Sequence, residues 1–477
     1  MDLDMDLDPM GSQAALFKLY TQLAFVYPRS ESASKPDIIS IMDRGLEHLS
    51  KSFPWVAGQV VNTNTNPAAT PKYKIRPLNS TPELLIKDYT ENPSVPSFVQ
   101  LEEAEFPMNM LSEDVWAPCA TLAGLSYDPS SPSGGPNKIA PVMLVQLSFI
   151  EGGLVLCINL QHNVCDMMGQ AAIMEWLSKA CRGENFTNHE IQLGQMDRTT
   201  TVPLIGENNW NPGNLLDDQI LAPQNTPEES DISATAPAPD VAVPETLEPP
   251  VCSWVYFNFS ATALAGLKTF ASETLPPNSS FISTDDAISA FIFQSVLRVR
   301  KPRLNQQRSV RFARAVDARR YMDVNSKYPG ILQNMTYTSY QLSELLNTPL
   351  GHIAAAMREK VDPATSDVAL RTRALITYLA QSPENALKVS FTARLKTDAD
   401  IMLSSWAKIA AFEWDFGLGL GRPKAVRRPG FLPVESLMYI MPKDKKGGIA
   451  VGMCLRKDDL EKLVEDIEWT KFATFIG

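Results

Sequence analysis

The chain has few of the residues that build metal centres and disulfide frameworks. Its four histidines are scattered, and His48, His189 and His352 have no companion ligands at a usable spacing. The six cysteines, at 119, 157, 165, 181, 252 and 454, show neither paired zinc spacing nor a dense framework, so reduced thiols and no metal are expected. Long apolar runs are also missing. The longest, over residues 142–160, is broken by Glu151, Gly152 and Gly153, which excludes a membrane helix of about 20 residues. Excess positive charge is absent too: a net charge of −11 excludes a nucleic-acid partner. The first eight residues alternate with Asp2, Asp4, Asp6 and Asp8, where a secretory leader would be basic and then apolar. A cytoplasmic protein is expected, and the sequon at Asn258 is a chance match.

A chain of 477 residues with 44% hydrophobic content can fill large cores. Residues 222–251 are rich in Pro, Ala, Glu and Thr without apolar period, and read as a poorly ordered crossover linker. It separates an N-terminal lobe, 1–221, from a C-terminal lobe, 252–477. Ile38, Met42, Leu46, Leu49 and Phe53 form a helical stripe, whereas residues 142–149 and 253–259 read as strands. Ser283 opens an apolar helix with capping chemistry. Each half mixes sheet and helix, and no short-period repeat is evident.

The most informative segment is an aliphatic strand over 154–160 that runs into His162, with Asp166 four residues on and a helical pattern through Ile173, Leu177 and Ala180. This puts His162 in a strand-to-helix turn, where a side chain can face a cleft on a rigid support. Imidazole titrates near pH ~6.5, so neutral His162 can accept a proton; it can equally be an ordinary strand-end residue. Asp166 can cap the helix, orient the histidine turn, or both. Cys165 offers a rival, nucleophilic chemistry, although a free cysteine is often only a small buried hydrophobe. Late in the chain, Asp415, Phe416, Gly417, Gly419 and Gly421 precede Pro423 and Pro429. These prolines prevent the helix that a dinucleotide loop requires.

His162 with Asp166, followed by Asp415-Phe416-Gly417 with Gly419, resembles the motif pair of the BAHD acyltransferases, which acylate alcohols or amines from coenzyme A thioesters. The segments 20–28, 54–60, 283–287, 315–319, 328–337 and 433–439 are similar to the fungal branch that includes the trichothecene 3-O-acetyltransferases. Met167 after the first aspartate and Leu418 in the late motif depart from many members of the wider family.

The resemblance implies an α/β fold of two chloramphenicol acetyltransferase-like lobes, with mixed sheets plus helices and an active-site channel between them. It implies His162 as general base in direct transfer, with acetyl-coenzyme A as cosubstrate and no permanently bound cofactor. The acceptor would be a hydroxyl of a fungal secondary metabolite, a trichothecene-like sesquiterpenoid being favoured, and the enzyme a monomer. Asp166 would shape the histidine turn, and Ser404 or Ser405 would supply a hydroxyl near the oxyanion. Asp415 would act away from the chemistry, with Arg319 its expected ion-pair partner. Ser283, Thr284, Arg422, Lys424, Arg427 and Arg428 are candidates for coenzyme A contacts. Acylation of an alkaloid, a condensation-type enzyme and an inactive ligand-binding scaffold are the alternatives. Gln161 stands where condensation enzymes usually carry a second histidine.

Overall fold

The computed structural model describes residues 4–30, 33–64, 69–123, 139–206, 210–221 and 250–477. The expected linker lies, through residue 249, outside the described residues. In chain order, the strands of the two large sheets are β1 (Tyr20–Pro28), β2 (Glu83–Asp88), β3 (Met143–Ile150), β4 (Gly153–Gln161), β5 (Cys252–Phe259) and β6 (Ser309–Asp317). They continue with β7 (Gln333–Gln341), β8 (Ile401–Ser405), β9 (Ala425–Arg427), β10 (Leu437–Ile440), β11 (Ile449–Arg456) and β12 (Thr474–Phe475). The first sheet has the order β9-β1-β4-β3-β2, and the second β7-β6-β8-β10-β11-β5-β12. Both mix parallel and antiparallel pairs, as in β3 with β2 and β6 with β8, which are parallel. A third, three-stranded sheet joins Met5–Asp6, Tyr73–Pro77 and Gly58–Asn62. The architecture is mixed α/β.

Strands β3 and β4 alternate in their second halves yet are buried along their whole length, so Gln146, Ser148, Asn159 and Gln161 lie inside with the aliphatic residues. They are joined by the two-residue turn Glu151-Gly152, which sets their antiparallel register. Helix α1 (Lys35–Ser52) buries Ile38, Met42, Leu46 and Leu49 as its stripe requires, and Phe53 just beyond it stacks on Trp176 at 4.4 Å between ring centres. Trp176 belongs to helix α2 (Met167–Cys181), and helix α3 (Thr284–Arg300) packs Ala287, Ile288 and Phe291 into the core of the second sheet.

The halves of the sequence exchange pieces of chain. Strand β9, from the C-terminal half, closes the edge of the first sheet by pairing with β1. Met10, Leu16, Val202 and Leu216 share a core with Leu375 and Leu379. The largest core joins Phe25, Ile158 and Trp176 to Trp406, Trp414, Phe416 and Tyr439. The turn after β4 adds Val164 and Cys165 to the same core.

Candidate active site

His162 follows β4 directly, and its backbone amide donates to the Leu19 carbonyl at 2.7 Å, so the strand fixes its position. His162 is partly exposed as a residue, and its Nδ1 is sealed from solvent with no partner on another residue, which leaves Nε2 as the candidate nitrogen for a substrate. Burial pushes the imidazole below its ordinary value. Its own carbonyl and the Asp166 carboxylate pull it back up, and the Arg428 charge pushes it further down. The net shift favours the neutral ring, the form a base requires.

Asp166 caps α2, accepting from the Gly169 amide at 2.9 Å. It also corrects the expected pairing of Arg319 with Asp415. Arg319 is fully buried and forks onto both oxygens of Asp166 at 2.9 Å, with a further contact to Asp317 at 2.9 Å. Its remaining hydrogens go to the Tyr328 and Gly330 carbonyls. The Leu332 amide donates to Asp166 as well, at 2.7 Å, so the turn is clasped by the C-terminal half. Burial alone would lower Arg319, yet the Asp166 and Asp317 carboxylates hold it above the ordinary guanidinium value.

Asp415 is a turn residue with a different task. Its Oδ1 accepts from the Gly417 amide at 2.8 Å, and its carbonyl accepts from Arg182 at the end of α2. Gly417 and Gly419 have φ of +67° and +73°, the left-handed region that side chains rarely adopt. Phe416 is buried edge-on against Phe25 at 5.4 Å. The late motif therefore locks the loop after β8 onto the first sheet.

A cleft of about 370 Å³ opens beside the turn, with Asp166, Met167, Met168, Ser404 and Ser405 in its wall. His162 stands four residues behind Asp166 and does not itself line this cleft. The strand register separates the two serines. Ser404 is paired with Tyr439 and takes a bond from the Trp406 indole at 3.0 Å, on the side of the core shared with β4. Ser405 turns the other way and donates to Asp285 at the start of α3.

Ser283 and Thr284 also line the cleft, but Ser283 is occupied by a capping box in which it accepts from the Asp286 amide and its own amide donates to the Asp286 carboxylate. The basic run after the late motif does not reach the cleft. Arg422 pairs with Glu413 and Lys424 with Glu102 on the surface, while Arg427 donates to the Phe106 and Glu105 carbonyls. Arg428 is folded inward by β9, its guanidinium 4.4 Å from the ring centres of both Phe431 and Tyr439.

The cations that do line the cleft are Arg314, Arg320, Arg358, Lys408 and Lys443, which sequence reasoning missed. Arg314 is committed to Asp286 at 2.8 Å. Among the described residues no carboxylate pairs with Lys408 or Lys443, leaving two ammonium groups for an anionic ligand. Lys408 follows Trp406 by two residues, and the cluster Lys443, Lys445, Lys446 was a visible signal.

Cys165 cannot serve as a nucleophile in this geometry. It is fully buried, its Sγ faces the Gln161 carbonyl at 3.7 Å, and burial raises its thiol far above the ordinary value. Among the described residues no cluster of three or more His, Cys, Asp or Glu side chains could hold a metal ion, and no helix is long and apolar enough to cross a membrane.

This geometry agrees with what the chain is similar to. A model described as the trichothecene 3-O-acetyltransferase-like N-terminal domain matches residues 19–181, and one described as the Transferase family matches residues 115–470. The chain is 45% identical to trichothecene 3-O-acetyltransferase TRI101 of Fusarium sporotrichioides, covering 99% of this chain and 97% of that protein. It is 43% identical to the O-acetyltransferase dmxR13 of a Cryptosporiopsis species, covering 100% and 98%. The crystal structure of F. graminearum TRI101 complexed with coenzyme A and deoxynivalenol superposes with a TM-score of 0.89 at 41% identity, covering all of both chains. The chain is an acyltransferase and belongs to the Transferase family, the BAHD enzymes, with the trichothecene 3-O-acetyltransferase-like domain at its N-terminal side.

Proposed function

We propose that the enzyme transfers the acetyl group of acetyl-coenzyme A to a hydroxyl of a trichothecene-like sesquiterpenoid, with His162 as general base. The observation that carries the mechanism is the partly exposed His162 at the end of a buried strand, with Nδ1 sealed and burial favouring the neutral ring. Nε2 takes the proton of the acceptor hydroxyl as its oxygen attacks the thioester carbonyl, a contribution of about 10²–10⁴-fold. The imidazolium then returns that proton to the departing thiolate, so one residue serves both halves of the transfer and no acyl-enzyme forms. Ser404, on the inward face of β8, donates to the oxyanion. Lys408 and Lys443 meet the phosphates of coenzyme A, and Met167, Met168, Val316 and Ile440 offer an apolar wall to its arm.

The acceptor class rests on whole-length similarity to enzymes named for trichothecenes. The cleft draws its walls from both halves of one chain, which supports action as a monomer. Buried thiols such as Cys157 and Cys165 suit a reducing, cytoplasmic setting.

The test is free-thiol release from acetyl-coenzyme A with a hydroxylated trichothecene and with its counterpart lacking that hydroxyl. Release with the first alone, lost in folded His162→Ala and kept in Cys165→Ala, is the expected pattern. An acetylated protein mass that turns over on adding acceptor would overturn direct transfer.

A further inference from the structure

Behind the catalytic turn lies a buried charge cluster that the proposed chemistry does not use. Arg198 and Asp8 have side chains only 1% and 5% exposed and pair at 3.2 Å. The same Arg198 nitrogen donates to the Val164 carbonyl at 2.6 Å, midway between His162 and Asp166. The guanidinium lies 4.6 Å from the Trp55 ring centre, and Asp8 also accepts from the Tyr328 hydroxyl and the Ile331 amide. The segment after Asp8 presses on the same turn: a Cβ on Gly11 would stand 2.2 Å from the Asn163 carbonyl oxygen, a contact only glycine allows.

We propose that Arg198 is a positioning residue, which with Asp8 sets the height of the turn that carries the His162 imidazole. The turn is then gripped at three points: His162 by Leu19, Val164 by Arg198, and Asp166 by Arg319. The outer two grips belong to the strand and the helix cap, and the middle one serves neither. Burying an ion pair returns little net stability compared with apolar packing, so what this pair supplies is a fixed geometry. Reacting groups must be held within fractions of an ångström, and a displacement of about 1 Å can cost on the order of 10² in rate.

This inference rests on His162 acting as the base, and its test keeps the two apart. The double variant Asp8→Asn, Arg198→Met removes both charges without stranding either, and Arg198→Lys keeps the charge while losing the guanidinium nitrogen that meets both Asp8 and Val164. Both are compared with wild type and His162→Gln by melting, by kcat and KM for acetyl-coenzyme A, and by the pH profile of kcat/KM. The groups that bear on the ring are Asp166 on its own turn and Arg428 from the segment after β9, while Arg198 faces the backbone of the turn, Asp8 faces Arg198, and Arg319 faces the Asp166 carboxylate.

The expected result for the folded double variant is a kcat lower by roughly tenfold to a hundredfold at unchanged KM. Its acidic limb moves up toward the ordinary imidazole value, because a looser turn admits water. Arg198→Lys falls between it and wild type. Wild-type kcat and an unmoved limb in folded Arg198→Lys and in the double variant would overturn the proposal. An active His162→Gln would overturn the base itself.

Discussion

Replacing Arg319 by methionine tests the contact that joins the two halves at the catalytic turn. The substitution keeps most of the side-chain volume and leaves Asp166, 2% exposed, with a buried charge and no cation. Breaking a buried pair in this way costs about 3–5 kcal/mol, a large share of the roughly 5–15 kcal/mol by which a domain is stable. For a lobe-sized unit each kcal/mol lowers the melting temperature by about 2–4 °C, so the variant should melt roughly 6–20 °C below wild type. Adding Asp166→Asn to Arg319→Met neutralises the stranded carboxylate and keeps a good helix cap, so the double variant should melt above the Arg319 single variant. Differential scanning calorimetry on the four proteins completes the cycle. A loss of less than 2 °C for Arg319→Met, with no coupling to Asp166, would refute the reasoning. It would revive a partnership between Arg319 and Asp415.

Asp415→Asn keeps an oxygen for the Gly417 amide and should melt within a few degrees of wild type, whereas Gly417→Ala, at φ +67°, should lose about 1–2 kcal/mol by the same calorimetry. Lys408→Glu and Lys443→Glu should each raise KM for acetyl-coenzyme A about tenfold or more in the thiol assay with kcat little changed, while Arg422→Glu, on the surface with Glu413, leaves KM unmoved. Ser404→Ala should lower kcat by about 10²-fold without a matching change in KM, and Ser405→Ala, whose hydroxyl is turned to Asp285, should lower it far less.

What was readable in the sequence was what is local. The strand ending at Gln161, the turn at His162 and the cap at Asp166 depend on residues within one run of chain, and the structure has all three. The stripe from Ile38 to Leu49 and the cap at Ser283 were legible for the same reason. The partner of Arg319 was not, because Arg319 and Asp166 are 153 positions apart and meet only after β9 and the 328–332 segment close on the first sheet. Arg422 to Arg428 read as one basic cluster, yet strand pairing splits it between two surface pairs and two inward side chains. Exposure of a charge is set by the fold, so a basic run predicts a charged face only where nothing packs on it. The choice between Ser404 and Ser405 turned on register, which no local pattern specifies once both faces of a strand are partly buried.

The central claim is that a neutral His162 is the proton acceptor, and the pH dependence of kcat/KM tests it most directly. Burial holds the folded-state value below the ordinary ~6.5, so the base form predominates at neutral pH and activity is lost as pH falls through that lowered value. The account predicts a single acidic limb with its midpoint below pH ~6.5 and a loss of rate of about 10²–10⁴-fold in folded His162→Ala across the range. A His162→Ala enzyme that retains the wild-type rate and the same limb would contradict it.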